Sequence, residues 1–549
     1  MALFVDFFGY MSVLLRGCTL ATQALAVGGV AFLLFVVRPR LPWLGDPADT
    51  LLRRCRIGIA ASGLALAAFA LLNLGADLAA LIEILGYQAA DPLHAGFVQA
   101  GLVQADAGIV LAAVALAWPR AHGACYAVPA LLILGASTAT SHAVARLQHQ
   151  AVLATVTFVH EAAASTWIGS LPYLLAALSL PLEGKELHPL GLRFHRIAQL
   201  SVTTLLAGAA VLGYAYVGTL DGVYGTAYGV MVGVKGVMAA ALLALGWSNS
   251  QRVMALRDDY DAPLLPLRRF AELEVGIGIT VLLATASLIS VPPAVDLTRD
   301  RLTLGELVAH MAPTWPRFTS PDHADLALQV LQKQLDAQAA SGHAAPAYVP
   351  GAGTPPPYTA TDIAWSEFNH HWAGVFVLAI GVLALIERAF RARWARSWPL
   401  LFAGLAVFLL IRSDPEAWPM GSISFWDSFR EPEVLQHRVF MAIITVFAFF
   451  EWSVRTGRTR SQNAALVLPL LCALGGALLL THSHALGNVK WELLIEYTHA
   501  PLALLGVAAG WSRWLEVRLP GTVAARRASW IWPTSFALVG LLLIFYREA

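Results

Sequence analysis

The chain has 549 residues, of which 58% are hydrophobic and only 13% charged, with 36 Lys and Arg against 35 Asp and Glu. That composition excludes a string of ordinary soluble domains, and no basic patch with interleaved aromatics offers a nucleic-acid surface. A Gly-rich phosphate loop and an aspartyl-phosphorylation motif are both absent from the sequence, so no nucleotide is expected to be bound and ATP-driven pumping by this chain alone is not expected.

Apolar runs of about 18 residues or more recur from end to end, the length that crosses a hydrocarbon core about 30 Å thick. Lipid offers no partner to backbone amides, so such runs are helices. About fourteen are expected, at roughly 11–37, 57–78, 95–118, 124–141, 151–178, 195–219, 227–247, 269–291, 367–387, 397–412, 437–455, 463–481, 492–512 and 530–546. The first has no basic stretch before Arg16 and no small-residue cleavage site, and it reads as a retained span. The expected fold is an all-α polytopic membrane bundle. Residues 1–292 form an eight-helix bundle and 367–549 a six-helix one. Between them, 293–366 is a long loop with amphipathic helices at "LTLGELVAHM" and "ADLALQVLQKQLDAQ" and a Pro/Gly linker.

Basic residues crowd alternate loops, from Arg38, Arg40, Arg53, Arg54 and Arg56 to Arg513, Arg518, Arg526 and Arg527. Short loops rich in Lys and Arg stay in the cytoplasm, so both termini and the 293–366 loop are expected outside it. The four cysteines are scattered, with no CxxC, and neither a disulfide framework nor a thiolate relay is expected.

That orientation sorts the 16 histidines: only His122, His188 and His195 fall on the cytoplasmic side. One reading is that histidine is tolerated at interfaces as an amphipathic residue; a functional cluster is the other. In the second bundle His370 and His371 open one span, His437 opens another, His482 and His484 close a third, and His499 lies two turns into the next. Glu367, Glu433 and Glu496 precede His370, His437 and His499 by three or four residues, a spacing that shares one helix face. Carboxylate-bridged metal bundles use Glu-x-x-His, and imidazoles with carboxylates suit Cu(II), Zn(II) or Fe. Three spans of this half each begin with His and finish with Glu, a duplicated helix pattern.

The first bundle carries buried charges: Asp106 in "GLVQADAGIVLA", Lys235 in "AYGVMVGVKGVMAA", and His160 with Glu161 in "TFVHEAAASTWIGSLPYL". A charge at mid-membrane costs about 2.5–3.5 kcal/mol, so it faces a partner or a wet cavity. Either an interhelical ion pair or a polar pathway for an ion, with His160 as a ligand along it, fits these positions.

The run "FHRIAQLSVTTLLAGAAVLGYAYVGTLDGVYGTAYGVMVGVKGVMAAALLALGWSNSQR", with His160, Trp167, Gly169, Arg196, Tyr228, Gly229 and Lys235, resembles the copper-resistance D (CopD) family of bacterial inner-membrane proteins. The resemblance covers about residues 1–290. It implies copper handling at the cytoplasmic membrane beside a periplasmic copper-binding partner. The scarcity of methionine, with Met311 and Met420 alone in outer loops, argues against a thioether relay for Cu(I).

The expectation is a copper-handling membrane protein, a transporter or metal-binding protein more than an enzyme. It captures copper outside through His371, His437, His482, His484 and His499, with His370 beside them. It passes the ion inward past His160, Glu161, Asp106 and Lys235. One alternative is a b-type cytochrome whose paired histidines hold haem and take electrons from quinol. Another is a chaperone that holds copper for a membrane cuproenzyme.

Overall fold

The computed structural model describes residues 2–45, 47–83, 94–299, 301–326, 360–430, 432–481 and 489–548. Among these, regular structure is helical apart from one isolated bridge between Ala417 and Ile423. Twelve helices among the described residues are long and apolar enough to cross a membrane. The expected fourth and twelfth spans are the shorter apolar helices Gly123–Ala139 and Ala464–Leu479. At 1.5 Å per residue the first of these rises about 25 Å, less than a hydrocarbon core. Two compact units are present, one built on Tyr10–Arg299 and the other mainly on Asp300–Leu480 and His484–Ala549.

In the N-terminal unit the helices are α1 (Ala2–Phe32), α2 (Pro47–Glu83), α3 (Gly96–Ala117), α4 (Gly123–Ala139), α5 (His142–Ala145) and α6 (Gln150–Ile168). They continue as α7 (Leu171–Leu178), α8 (Gly184–Tyr216), α9 (Leu220–Tyr224), α10 (Ala227–Ala255) and α11 (Leu264–Leu288). Lipid supplies no hydrophobic drive between helices, so close packing at small residues must hold them together. The sequence supplies those residues in facing pairs. A Cβ on Gly63 of α2 would stand 2.6 Å from the Gly108 carbonyl of α3, and one on Gly108 the same distance from that of Gly63. Tyr173 of α7 threads between α1 and α2 where Gly29 and Gly58 leave room, and its hydroxyl donates to the Leu25 carbonyl at 3.0 Å. Arg56 caps the far end of α3 by donating to the Ala115 and Leu116 carbonyls at 2.7 and 2.9 Å, groups the helix itself leaves without partners.

The C-terminal unit holds α12 (Leu304–Met311), α13 (Ala360–Phe390), α14 (Leu400–Arg412), α15 (Pro432–Arg455), α16 (Val467–Leu479), α17 (Val489–Arg518) and α18 (Val523–Ile544). The expected amphipathic helix at "LTLGELVAHM" is α12, started by a reciprocal cap between Thr303 and Glu306. The second, in 324–338, lies outside the described residues from 327 on. Helix α13 starts seven residues earlier than expected. No proline lies between Pro357 and the end of the helix at Phe390, and Asp362 sits in the first turn, where an acid favours a helix start. Glycines seat α18 on α13: a Cβ on Gly540 would stand 2.3 Å from the Leu378 nitrogen, and one on Gly381 2.4 Å from that of Ala537.

The glutamates that finish the three similar spans gather at one end of this unit. Arg455 meets Glu451 at 2.8 Å and Glu387 at 3.6 Å, Arg513 meets Glu516 at 2.6 Å, and Trp398 and Trp532 donate to Glu387 and Glu516. Arg455 also covers the Trp398 and Trp532 rings at about 5 Å. The knot joins α13, α15, α17 and α18, with Glu451 only 1% exposed.

Candidate functional site

At the end of the C-terminal unit where α13 begins and α18 finishes, the histidines divide into two kinds by the state of their ring nitrogens. His371 is buried and spends both nitrogens on backbone. Its Nδ1 accepts from the Arg317 amide at 2.7 Å, and its Nε2–H donates to the Tyr546 carbonyl at 2.8 Å. The expectation of a metal ligand here gives way to a clamp that ties the 317 loop and the chain after α18 to α13. A lone pair that accepts an amide proton is not offered to an ion.

His370 and His499 are arranged otherwise. Each ring turns Nδ1 toward the carbonyl one turn back on its own helix, Ser366 for His370 and Ile495 for His499, both at 2.9 Å. The carbonyl can only accept, so the geometry assigns the proton to Nδ1 and the lone pair to Nε2, the ligating form of imidazole. Both rings border Tyr546: His370 stacks on it at 3.9 Å between centroids, and His499 meets it edge-on at 6.3 Å. The phenol donates to Glu548 at 3.2 Å, and Ser366 also donates to that carboxylate. A porphyrin between His370 and His499 would have to displace this ring, so the pair does not fit haem.

His437 is exposed and has the same tautomer from a different partner, its Nδ1–H donating to Asp414 at 2.6 Å. Carboxylate–histidine pairs of this kind orient metal-ligating rings. Burial of Asp414 opposes its charge, yet His437, the Ser413 hydroxyl and Arg438 hold its carboxyl below the usual range. The expected partner by helical spacing, Glu433, has a side chain outside those described, as do His482 and His484. Glu367 pairs with Arg317 at 3.6 Å, and Glu496 is half-buried one turn before His499. Among the described residues, no group of three or more His, Cys, Asp or Glu converges so as to hold a metal ion. The expected ring of imidazoles around one ion is therefore not present among them.

In the N-terminal unit the polar interior is built differently from the expectation. Asp106 is exposed on the surface of α3, whereas its neighbour Gln104 points in. Gln104 donates to Gln23 of α1 at 2.7 Å, and Gln23 donates to Glu161 of α6 at 3.2 Å. Ser137 lies beside the same carboxylate. Asp106 and Gln104 are two residues apart, about 200° of rotation around the helix, so the one faces out where the other faces in, which sequence depth alone does not reveal. His160 contacts the Leu205 carbonyl at 3.1 Å against Gly208, where a Cβ would press on its ring at 3.2 Å. Lys235 of α10 is near enough for its charge to act on His160, and among the described residues it forms no ion pair with Asp106 or Glu161.

Sequence spacing missed Tyr546, Glu548, Asp414, Gln23 and Gln104. The two glutamines carried a legible signal, amides inside apolar runs; Asp414 and Glu548 reach their histidines only through the fold.

Residues 190–288, which run through α8, α10 and α11, match the family model of copper resistance protein D (CopD). No curated protein and no solved structure matches the chain. The matched stretch holds Arg196, Tyr228, Gly229 and Lys235 and is narrower than the resemblance across residues 1–290. The chain is thus a multi-pass helical membrane protein that carries a copper-resistance CopD domain in residues 190–288, with the rest of its length unassigned.

Proposed function

We propose that this protein handles copper at a bacterial inner membrane, binding the ion on the extracytoplasmic side and passing it inward. The observation that carries the binding step is the shared tautomer of His370, His437 and His499. Each ring turns Nδ1 to a named acceptor, the tautomer in which Nε2 is the nitrogen that ligates. Copper here is cargo, and imidazole with carboxylate suits its divalent form. The loop-charge alternation supports an extracytoplasmic position for these rings and for a periplasmic copper-binding partner. For passage, the N-terminal unit offers Gln104, Gln23, Glu161 and His160 inside the helical interior, with Lys235 near His160.

Two measurements test the two steps separately. Purified protein loaded with Cu(II) should hold less metal when His370, His437 and His499 are all alanine, and an unchanged stoichiometry removes the binding step. Sealed vesicles containing the protein should take up copper, and Glu161→Leu should stop uptake without changing stoichiometry. Binding without uptake in the native protein leaves a chaperone in place of a transporter.

A further inference from the structure

A cleft in the N-terminal unit, with Trp167 and His195 among its lining residues, spans some 570 Å³ of space, counting that open at its mouth. Its long walls are apolar. Leu171, Leu174 and Leu178 form one stripe along α7, and Phe194 and Ala198 of α8 line the cleft with them. The α7 stripe alone runs about 10 Å at the rise of a helix. At one place the lining turns polar, with Asn249 of α10 and Glu274 of α11 side by side.

These two side chains are at odds with an empty cleft. Glu274 is 3% exposed, and among the described residues no cation pairs with it. Asn249, 9% exposed, donates its amide N–H to Glu274, and that leaves its own Oδ1 buried with no hydrogen-bond partner. A carboxylate and an amide oxygen are both acceptors here. Leaving such groups unmatched in an apolar setting costs free energy, so the site calls for a donor that carries positive charge. Beyond them the lining offers only Ser250 and His195, which contact each other at 3.3 Å, and a metal ion would lack oxygens to complete its shell. A protonated amine needs only two or three acceptors, and its apolar body matches the walls.

We propose that this cleft binds a primary ammonium amphiphile. Its N–H groups donate to Glu274 and to Asn249 Oδ1, and its alkyl chain lies along the leucine stripe of α7. An ethanolamine phospholipid and a free alkylamine share this chemistry.

The probe is n-octylammonium, titrated against the full-length protein in nanodiscs, with thermal unfolding and calorimetry as readouts and n-octanol as the uncharged control. Octylammonium should bind and raise the unfolding midpoint where octanol does not. Glu274→Gln and Asn249→Leu should each weaken binding at least about tenfold, as expected for lost hydrogen bonds to a charged group. Asn249→Asp, which restores an acceptor, should recover it. A response confined to phosphatidylcholine nanodiscs identifies the lipid as the occupant, since phosphatidylethanolamine then already fills the site; an equal response in both identifies a free amine. Equal effects of octanol and octylammonium, or full affinity in a folded Glu274→Gln variant, overturn the proposal. Copper stoichiometry is independent of every arm, so this test and that of copper binding fail separately.

Discussion

The His370 ring lies on the Tyr546 ring with 20° between their planes, while the next residue, His371, holds the carbonyl of the same tyrosine at 2.8 Å. Adjacent histidines on one helix thus grip one residue by its ring and its backbone. Of the two, His371 has both ring nitrogens on backbone groups, whereas His370 turns Nδ1 to the Ser366 carbonyl. Removing the ring by Tyr546→Ala frees His370 to swing, while Tyr546→Phe keeps the stack. An aromatic pair contributes about 0.5–1.5 kcal/mol, so the alanine variant should bind copper roughly two- to tenfold less tightly. Calorimetric titration of both variants checks this; equal losses would implicate the hydroxyl instead.

The opposite outcome is expected for His371. Alanine there leaves the Arg317 amide and the Tyr546 carbonyl without their partner, at about 1–3 kcal/mol for each group that stays buried. Thermal unfolding should shift down while copper stoichiometry stays the same. A loss of metal with unchanged stability would return His371 to the ligand set.

Asp414 sets a pH dependence with a definite sign. Its carboxyl is held below the usual range, so the stabilisation it gives is complete above that range and is lost as pH falls through the depressed value. In His437→Ala the main group that favours its charge is gone. The acid limb of the stability profile should therefore move to higher pH. Asp414→Asn should also weaken copper binding about 10- to 100-fold by releasing the ring from its tautomer. Unfolding midpoints across an acid series and a copper titration read these two effects.

The knot of Arg455 with Glu451 and Glu387 predicts a large stability effect with no change in metal. Arg455→Met strands two carboxylates, of which Glu451 is almost fully buried, and breaking such a pair costs about 3–5 kcal/mol. Chemical unfolding in detergent should show it. A double replacement, Arg455→Met with Glu451→Met, should recover part of the loss, because the uncompensated charge is then gone.

Local pattern carried far in this chain. Apolar length located the helices, and the His-to-Glu repeat of the second half marked residues whose glutamates do meet, at Arg455 and Arg513. The same spacing rule misled at Glu367, which turned to Arg317, and depth along the span misled at Asp106, which faces outward on α3 while Gln104 faces in. Spacing of three or four residues places two groups on one helix face but leaves open which face is buried.

By itself the sequence determined that this is a helical membrane protein, because apolar length is a local property of each helix, and residues 190–288 carried the likeness to CopD. Which imidazoles keep a lone pair for an ion was decided by tertiary structure alone. A ring nitrogen is claimed or released by a carbonyl, an amide or a carboxylate that arrives from elsewhere in the chain, as Tyr546 arrives at His371 across 175 residues.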